Sequence, residues 1–534
     1  MLTAAIRRSL PVRTPVRQLR RTLATPANPA QLPRDPNLKV TTLANGIRVA
    51  SDTAPGHFVA AGVYVDAGSR YESDRTRGAA HMTDRLAFKS TVNRTADEIT
   101  TEIEQLGGQF ISSSARETIL YQATTYTKSL PSVMSILSDT VLSPAITCEE
   151  LDIQREAALW EVGEIKTKPE MILPELLHET AYQGNTLGNP LLCPEERLET
   201  MTPETIKEFM RTWYRPDRLV VAAAGIEHEQ LVELADRHFG HVKPAPSALA
   251  ASSSRSSTST SPSQSQPFST STQFSASILA SASPSSRSAD PASFEYLSTA
   301  PSRYTGGTLL LDAPDLDFTH VYVAYEGLPL EDDDIYALAT LQVLLGGGGS
   351  FSAGGPGKGM YSRLYTQVLN QYHAVDFCSS FHHCYIDSAL FGMSISVHPS
   401  FLARTPDLIA QQLDSITRPV PGGIGEPELR RARNQLKSSL AMALESRMVQ
   451  VEDLGRQVQV HGRKVSMSEM AALIDRVTLS DLYRVANRVL RPSNSPILGD
   501  KHRSGKPTVV AQGRVDRLPD VVEALRRRGL AGAA

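Results

Sequence analysis

The residues best placed for chemistry are His81, Asp84 and Arg85, spaced H-x-x-D-R within one helical turn, with Glu161 eighty residues further along. The related pattern H-x-x-E-H binds zinc through two neutral imidazoles four residues apart, and the glutamate between them is the base for the attacking water. Here the first imidazole stands. The base has become an aspartate, whose carboxylate falls about one methylene short, and the second imidazole has become a guanidinium. Guanidinium is permanently cationic and cannot donate to a metal, so Arg85 decides against tight zinc binding. The expectation is a degenerate site (His81, Asp84, Arg85, Glu161) with no catalytic residue and no metal. Glu161 keeps two readings, a former ligand position or a solvated helix residue among Glu156 and Glu164. Adjacent His382 and His383, on a strand, point to opposite faces and cannot chelate together.

A second feature is the run from Gly346 to Met360, with eight glycines in fifteen residues. Glycine is costly to order, so such a run is not there for packing. It follows an apolar helical pattern (Ile335, Leu338, Leu341, Leu345) and precedes another (Tyr361, Leu364, Val368, Leu369), which predicts an interhelical loop held at both ends. A phosphate-binding loop does not fit, because Gly357-Lys358 has Ser352 upstream where a glycine is required and Gly359 where Ser or Thr is required. A tolerated connector and a gate or contact surface for an extended polypeptide remain. The candidate binding residues are Gly346, Gly347, Gly348, Gly349, Ser350, Phe351, Gly354, Gly355, Pro356, Gly357, Lys358, Gly359 and Met360. Glu326, Glu331, Asp332, Asp333 and Asp334 lie nearby, with the alternative role of charging the N-terminus of the preceding helix.

These residues need a scaffold. The capping box Thr147-Cys-Glu-Glu150 starts the long helix that carries Glu161. The segment Met201 to Pro216 aligns without gaps with Val477 to Pro492 at a constant offset of 276, sharing a threonine, an apolar helical stripe and a closing Arg-Pro. A duplication follows. Each half is an α+β domain: strands, a helix, more strands, then long helices. Residues 37–245 form the first and 304–534 the second, and the Ser-rich stretch 246–303 between them cannot bury enough surface to fold.

The first 34 residues contain seven arginines and no acid, the make-up of a mitochondrial presequence. A nucleic-acid-binding arm is the weaker alternative, since the segment has no lysine and no aromatic residue. The whole chain has net charge −3; without these arginines the remainder carries ten net negative charges, which suits a cationic partner. Four scattered cysteines form no CxxC pair and read as reduced thiols. No apolar run is long enough to span a bilayer.

Together the degenerate turn at 81–85 followed by Leu86-Ala-Phe-Lys-Ser-Thr91, the distal Glu161 and the glycine-rich run resemble the pitrilysin-like (inverzincin) family, in its non-catalytic mitochondrial processing peptidase alpha-type branch. The resemblance covers nearly all of the chain from about residue 37. It implies two homologous mixed domains in a clam-like arrangement, a mitochondrial matrix location, and no cofactor in this chain. It also implies a heterodimer with a beta subunit that holds the zinc, and recognition of precursor presequence peptides through the glycine-rich loop. No nucleic acid and no transmembrane segment are expected. The competing reading is a structural core protein of the ubiquinol:cytochrome c reductase complex, which shares the fold and lacks the zinc site.

Overall fold

Two runs, FVAAGVYV at 58–65 and LVVAAA at 219–224, have no polar face to turn to water, and they pair as the two buried middle strands of one sheet. The computed structural model describes residues 35–243, 293–350, 360–419, 422–492 and 504–532. The first sheet contains β1 (Leu38–Thr42), β2 (Arg48–Asp52), β3 (Phe58–Val65), β4 (Gln109–Ser114), β5 (Ile119–Tyr126) and β6 (Leu219–Ala224), in the order β1-β2-β6-β3-β5-β4. The second contains β7 (Gly307–Asp312), β8 (Thr319–Glu326), β9 (Gly347–Gly349), β10 (Val375–Cys384), β11 (Ala389–Val397) and β12 (Thr508–Gly513), in the order β7-β12-β8-β11-β10-β9. Strands β2, β6, β3, β5 and β4 correspond one to one with β7, β12, β8, β11 and β10. Pairing is antiparallel except in the equivalent pairs β2/β6 and β7/β12, which are parallel. The halves differ at the edges: β1 is added to one side of the first sheet, and β9 to the other side of the second.

The helices that matter for the site are α1 (Ala79–Arg85), α2 (Cys148–Lys166), α3 (Pro169–Ala181), α4 (Pro203–Trp213), α5 (Phe294–Thr299), α6 (Ile335–Leu345), α7 (Glu426–Ala443), α8 (Arg447–His461) and α9 (Leu479–Leu490). The gapless repeat corresponds to α4 and α9. Thr202 and Thr478 cap them alike, each hydroxyl accepting the backbone N–H three residues on, at 3.3 and 3.2 Å.

The two halves exchange a helix. Leu173, Leu177 and Ala181 of α3, a helix of the first half, pack on Ala324, Leu390 and Val510 of the second sheet. Val451, Leu454 and Val458 of α8, from the second half, pack on Ala60, Tyr64, Val220 and Ala222 of the first. Because α3 and α8 hold equivalent places in the duplicated order, the exchange is reciprocal, and each half covers a sheet face of the other. Each buried leucine or valine in these contacts contributes roughly 1.5–3 kcal/mol. Gly455 lets α8 approach closely, since a Cβ there would collide with the Tyr64 ring. Polar links join the halves too: Arg70 donates to both oxygens of Asp387 at 2.7 Å, and Arg48 donates to Val458 O at 2.8 Å.

Compositional reading placed the end of the Ser-rich bridge at residue 303, but the chain is structured from Ser293. Phe294 of α5 stacks on Trp213 at 5.1 Å between ring centroids and lies under the Arg215 guanidinium at 4.0 Å, so one aromatic residue anchors a segment that composition alone marks as unfolded. The Arg-rich segment 1–34 and most of the bridge lie outside the described residues. Among the described residues no helix is long and apolar enough to cross a membrane.

Candidate functional site

Helix α1 is short and is fixed from its N-terminal end. Glu72 is buried and accepts the backbone N–H groups of Gly78 and Ala80, both at 2.8 Å. Helix α2 begins with the expected reciprocal box, in which Thr147 and Glu150 each accept the other's backbone N–H. The two helices bring all four residues of the degenerate site, His81, Asp84, Arg85 and Glu161, to one cavity of about 410 Å³. Arg85 Nη1 is ion-paired with Glu161 Oε2, and His81 Nε2 lies 3.5 Å from the same oxygen. Glu161 is therefore a partner of both residues rather than an isolated solvated acid. At the cavity wall, Asp84 is held by β4, accepting from Ser112 Oγ at 2.5 Å and Ser114 N–H at 3.0 Å.

This arrangement does not fit zinc. A ligating imidazole presents a bare nitrogen to the metal and donates its other N–H outward. His81 Nδ1 accepts the Cys193 backbone N–H at 3.1 Å. Burial lowers the His81 pKa, so the ring is neutral and its one proton sits on Nε2, the nitrogen facing Glu161. The guanidinium of Arg85 fills the place of the second imidazole, and Asp84 is already committed to two donors. The arrangement is an ion-paired, hydrogen-bonded plug.

The glycine-rich segment departs from the expected loop at its start. Gly347 to Gly349 form β9, antiparallel to β10 with Gly348 opposite Cys378. Glycine supplies the geometry: Gly346 and Gly347 have φ of 56° and 107°, and a Cβ on either would collide, with Ser362 and with the Cys378 carbonyl respectively. Ser362 Oγ accepts the Gly347 N–H at 3.0 Å. Ser350 and Met360 are the last described residues on either side. Phe351, Gly354, Gly355, Pro356, Gly357, Lys358 and Gly359 lie outside the described residues. The apolar pattern after Met360 folds in part as a five-residue π-helical turn, Tyr365–Leu369.

Three of the acidic candidates near the loop, and both histidines, have structural partners. Asp332 and Asp334 pair with Arg488 and Arg484 of α9, with separations of 2.7 Å in each pair, and buried Glu326 accepts from Ser388. His382 lies 3.1 Å from Cys384 Sγ, while His383 stacks against His178 at 5.3 Å, on the other face. Burial lowers both imidazoles to about 4.

Sequence reasoning missed the cavity of about 490 Å³ beside β9, lined by Val343, Tyr361, Ser362, Glu428 and Met442. The exposed Tyr361 immediately after the glycine run was its only sequence signal.

Two sheets of equivalent topology, each packed with helices, and a disabled H-x-x-E-H turn define a two-domain zinc-peptidase-type scaffold whose metal position is filled by an arginine. Comparison with known families agrees: the family described as "Insulinase (Peptidase family M16)" matches residues 48–195, and "Peptidase M16 inactive domain" matches residues 200–436. The chain is 48% identical to mitochondrial-processing peptidase subunit alpha of Neurospora crassa, over 89% of this chain and 86% of that one. It is 41% identical to the probable alpha subunit of Schizosaccharomyces pombe, over 93% of this chain and 90% of the relative. Identity to the human alpha subunit is 35%, over 90% and 83%. The chain belongs to the M16 peptidase family, among the alpha subunits of mitochondrial-processing peptidases.

Proposed function

We propose that this chain is the non-catalytic, substrate-holding subunit of a mitochondrial processing peptidase, which removes Arg-rich presequences in the matrix together with a zinc-bearing beta-type subunit. The observation that carries the non-catalytic assignment is Arg85, whose guanidinium pairs with Glu161 where a ligand imidazole would stand. The presequence-binding assignment rests on the glycine-rich segment from Gly346 to Met360 and on the negative charge of the chain beyond residue 34. A cationic, extended peptide needs an acidic holder with backbone that can be approached closely. The names of the relatives favour this reading over a structural core protein.

Reconstitution tests it. The purified chain alone should carry well under one zinc per molecule and leave an Arg-rich peptide uncut, and adding a partner with a complete H-x-x-E-H turn should restore cleavage. One tightly held zinc in the isolated chain, or turnover without the partner, would overturn the assignment.

A further inference from the structure

Helix α2 turns one flank to the degenerate site, where Gln154 and Glu161 line the cavity, and another to solvent. The exposed residues Glu149, Ile153, Glu156, Trp160 and Glu164 form one line along the solvent side at helical spacing. Ile153 is 59% exposed and Trp160 77%. Single apolar residues on a surface are ordinary, but a tryptophan and an isoleucine interleaved with acids on one helix form a patterned face. Glu164 pairs with Lys168 at 2.7 Å, whereas Glu149 and Glu156 have no ion pair or side-chain hydrogen bond among the described residues. Glu149 lies in the first turn, where the helix dipole favours an acid; Glu156, in mid-helix, has no such reason to be there.

The duplicated half supplies an internal control. Arg155 of α2 donates to Leu198 O and Met201 O, and Arg433 of α7 donates to Asp475 O and Val477 O. Met201 and Val477 open the gapless repeat, and four positions before each arginine stands a buried leucine, Leu151 or Leu429. The two helices therefore share a register, in which Arg431, Asn434 and Ser438 of α7 stand where α2 has Ile153, Glu156 and Trp160. The fold is satisfied with a polar line at these positions. Gly163, three residues beyond Trp160, is a further sign. Glycine weakens a helix interior, and a Cβ there would meet nothing within 4 Å, so packing inside the chain does not call for it. In α7 the equivalent residue is Ala441. A bare position beside an exposed tryptophan leaves room for another chain to approach the helix closely.

We infer that the outer face of α2 is a docking site for a cationic amphipathic segment of an Arg-rich presequence, whose apolar side chains cover Ile153 and Trp160 while its arginines pair with Glu149 and Glu156. Charge complementarity selects this occupant. Residues 2–25 of this chain are of that class, with six arginines, no acid, and leucine, isoleucine and valine between them. A tryptophan ringed by charged groups is the kind of side chain that anchors such a contact. The inference rests on the proposed presequence-holding role and places a contact of that role on a helix of the first half.

The test uses the full chain assembled with its zinc-bearing partner, stripped of the partner's metal so that the probe stays whole, and a synthetic peptide of residues 2–25 as the probe. Calorimetric titration measures its affinity, and analytical ultracentrifugation measures association of the two subunits. Trp160→Ala should weaken the peptide at least fivefold. Gly163→Leu should weaken it at least threefold without lowering Tm, because leucine is the better helix former and has space there. Glu149→Gln combined with Glu156→Gln should flatten the dependence of affinity on salt. Subunit association should be unchanged in every variant. If the parent binds the peptide and the variants match it in affinity and salt dependence, the docking site is wrong and the presequence-holding role survives. Weaker association with the partner in any variant would mark the face as a subunit contact and overturn the inference. A parent complex that does not bind the peptide at all defeats both.

Discussion

Replacing Arg85 with alanine separates a chemical role from a structural one. The pair it forms with Glu161 is only partly buried, with 22% of the arginine side chain and 38% of the glutamate exposed. Pairs of that exposure contribute on the order of 0–1 kcal/mol once solvent screening is counted. Part of even this is offset, because Arg85 Nε is buried without a hydrogen-bond partner among the described residues. The variant should therefore lose no more than about 1 kcal/mol, a shift of roughly 4 °C or less in Tm. In the reconstituted complex its presequence cleavage should stay within twofold of the parent, about 0.4 kcal/mol in the barrier. Thermal unfolding and steady-state cleavage on the same preparation measure both. A thousandfold loss of kcat with an unchanged Tm, about 4 kcal/mol in the barrier, would show that Arg85 acts on the reaction and would refute the reasoning.

Two further outcomes follow from single residues. Gly347→Ala should cost at least about 2 kcal/mol, since it adds backbone strain at a φ of 107° to a collision with the Cys378 carbonyl, whereas Gly349→Ala should cost within about 0.5 kcal/mol; chemical denaturation of the two variants distinguishes them. Glu117, which accepts from Arg70 and from the Ile386 N–H, has its carboxyl raised by burial to about 7 from an ordinary 4.5. The folded chain then holds a proton that the unfolded chain releases, so this group's contribution to stability falls as pH rises from about 4.5 to 7. Glu117→Gln should remove up to about 3 kcal/mol of that slope, read as the difference between parent and variant across the pH range, and identical profiles would contradict it.

Much of the site was legible because it is local. The spacing of His81, Asp84 and Arg85, the cap at Thr147 and the duplicated α4 and α9 each rest on contacts within a turn or two of helix, which sequence pattern records directly. The exchange of α3 and α8 was not legible, because an apolar stripe states that a face must be buried and not which sheet buries it. Strand β9 was hidden for the opposite reason. Its three glycines carry no side-chain pattern, and its pairing is entirely backbone, so the sequence looks like a loop. The link between Arg70 and Asp387 joins residues 317 apart and leaves no local trace. Phe294 shows how a single aromatic residue outweighs a compositional boundary.

A deletion of residues 354–359 in the full complex tests most directly whether the glycine-rich segment holds presequence. Titration of the Arg-rich peptide of residues 2–25 by calorimetry, at low and then raised salt, gives its affinity for parent and variant. The variant should bind at least tenfold more weakly, about 1.4 kcal/mol, with unchanged circular dichroism and unchanged association with the partner. Salt should weaken binding to the parent, because the peptide is cationic. A deletion variant that binds the peptide and supports its cleavage as well as the parent would reduce the segment to a connector and contradict the account.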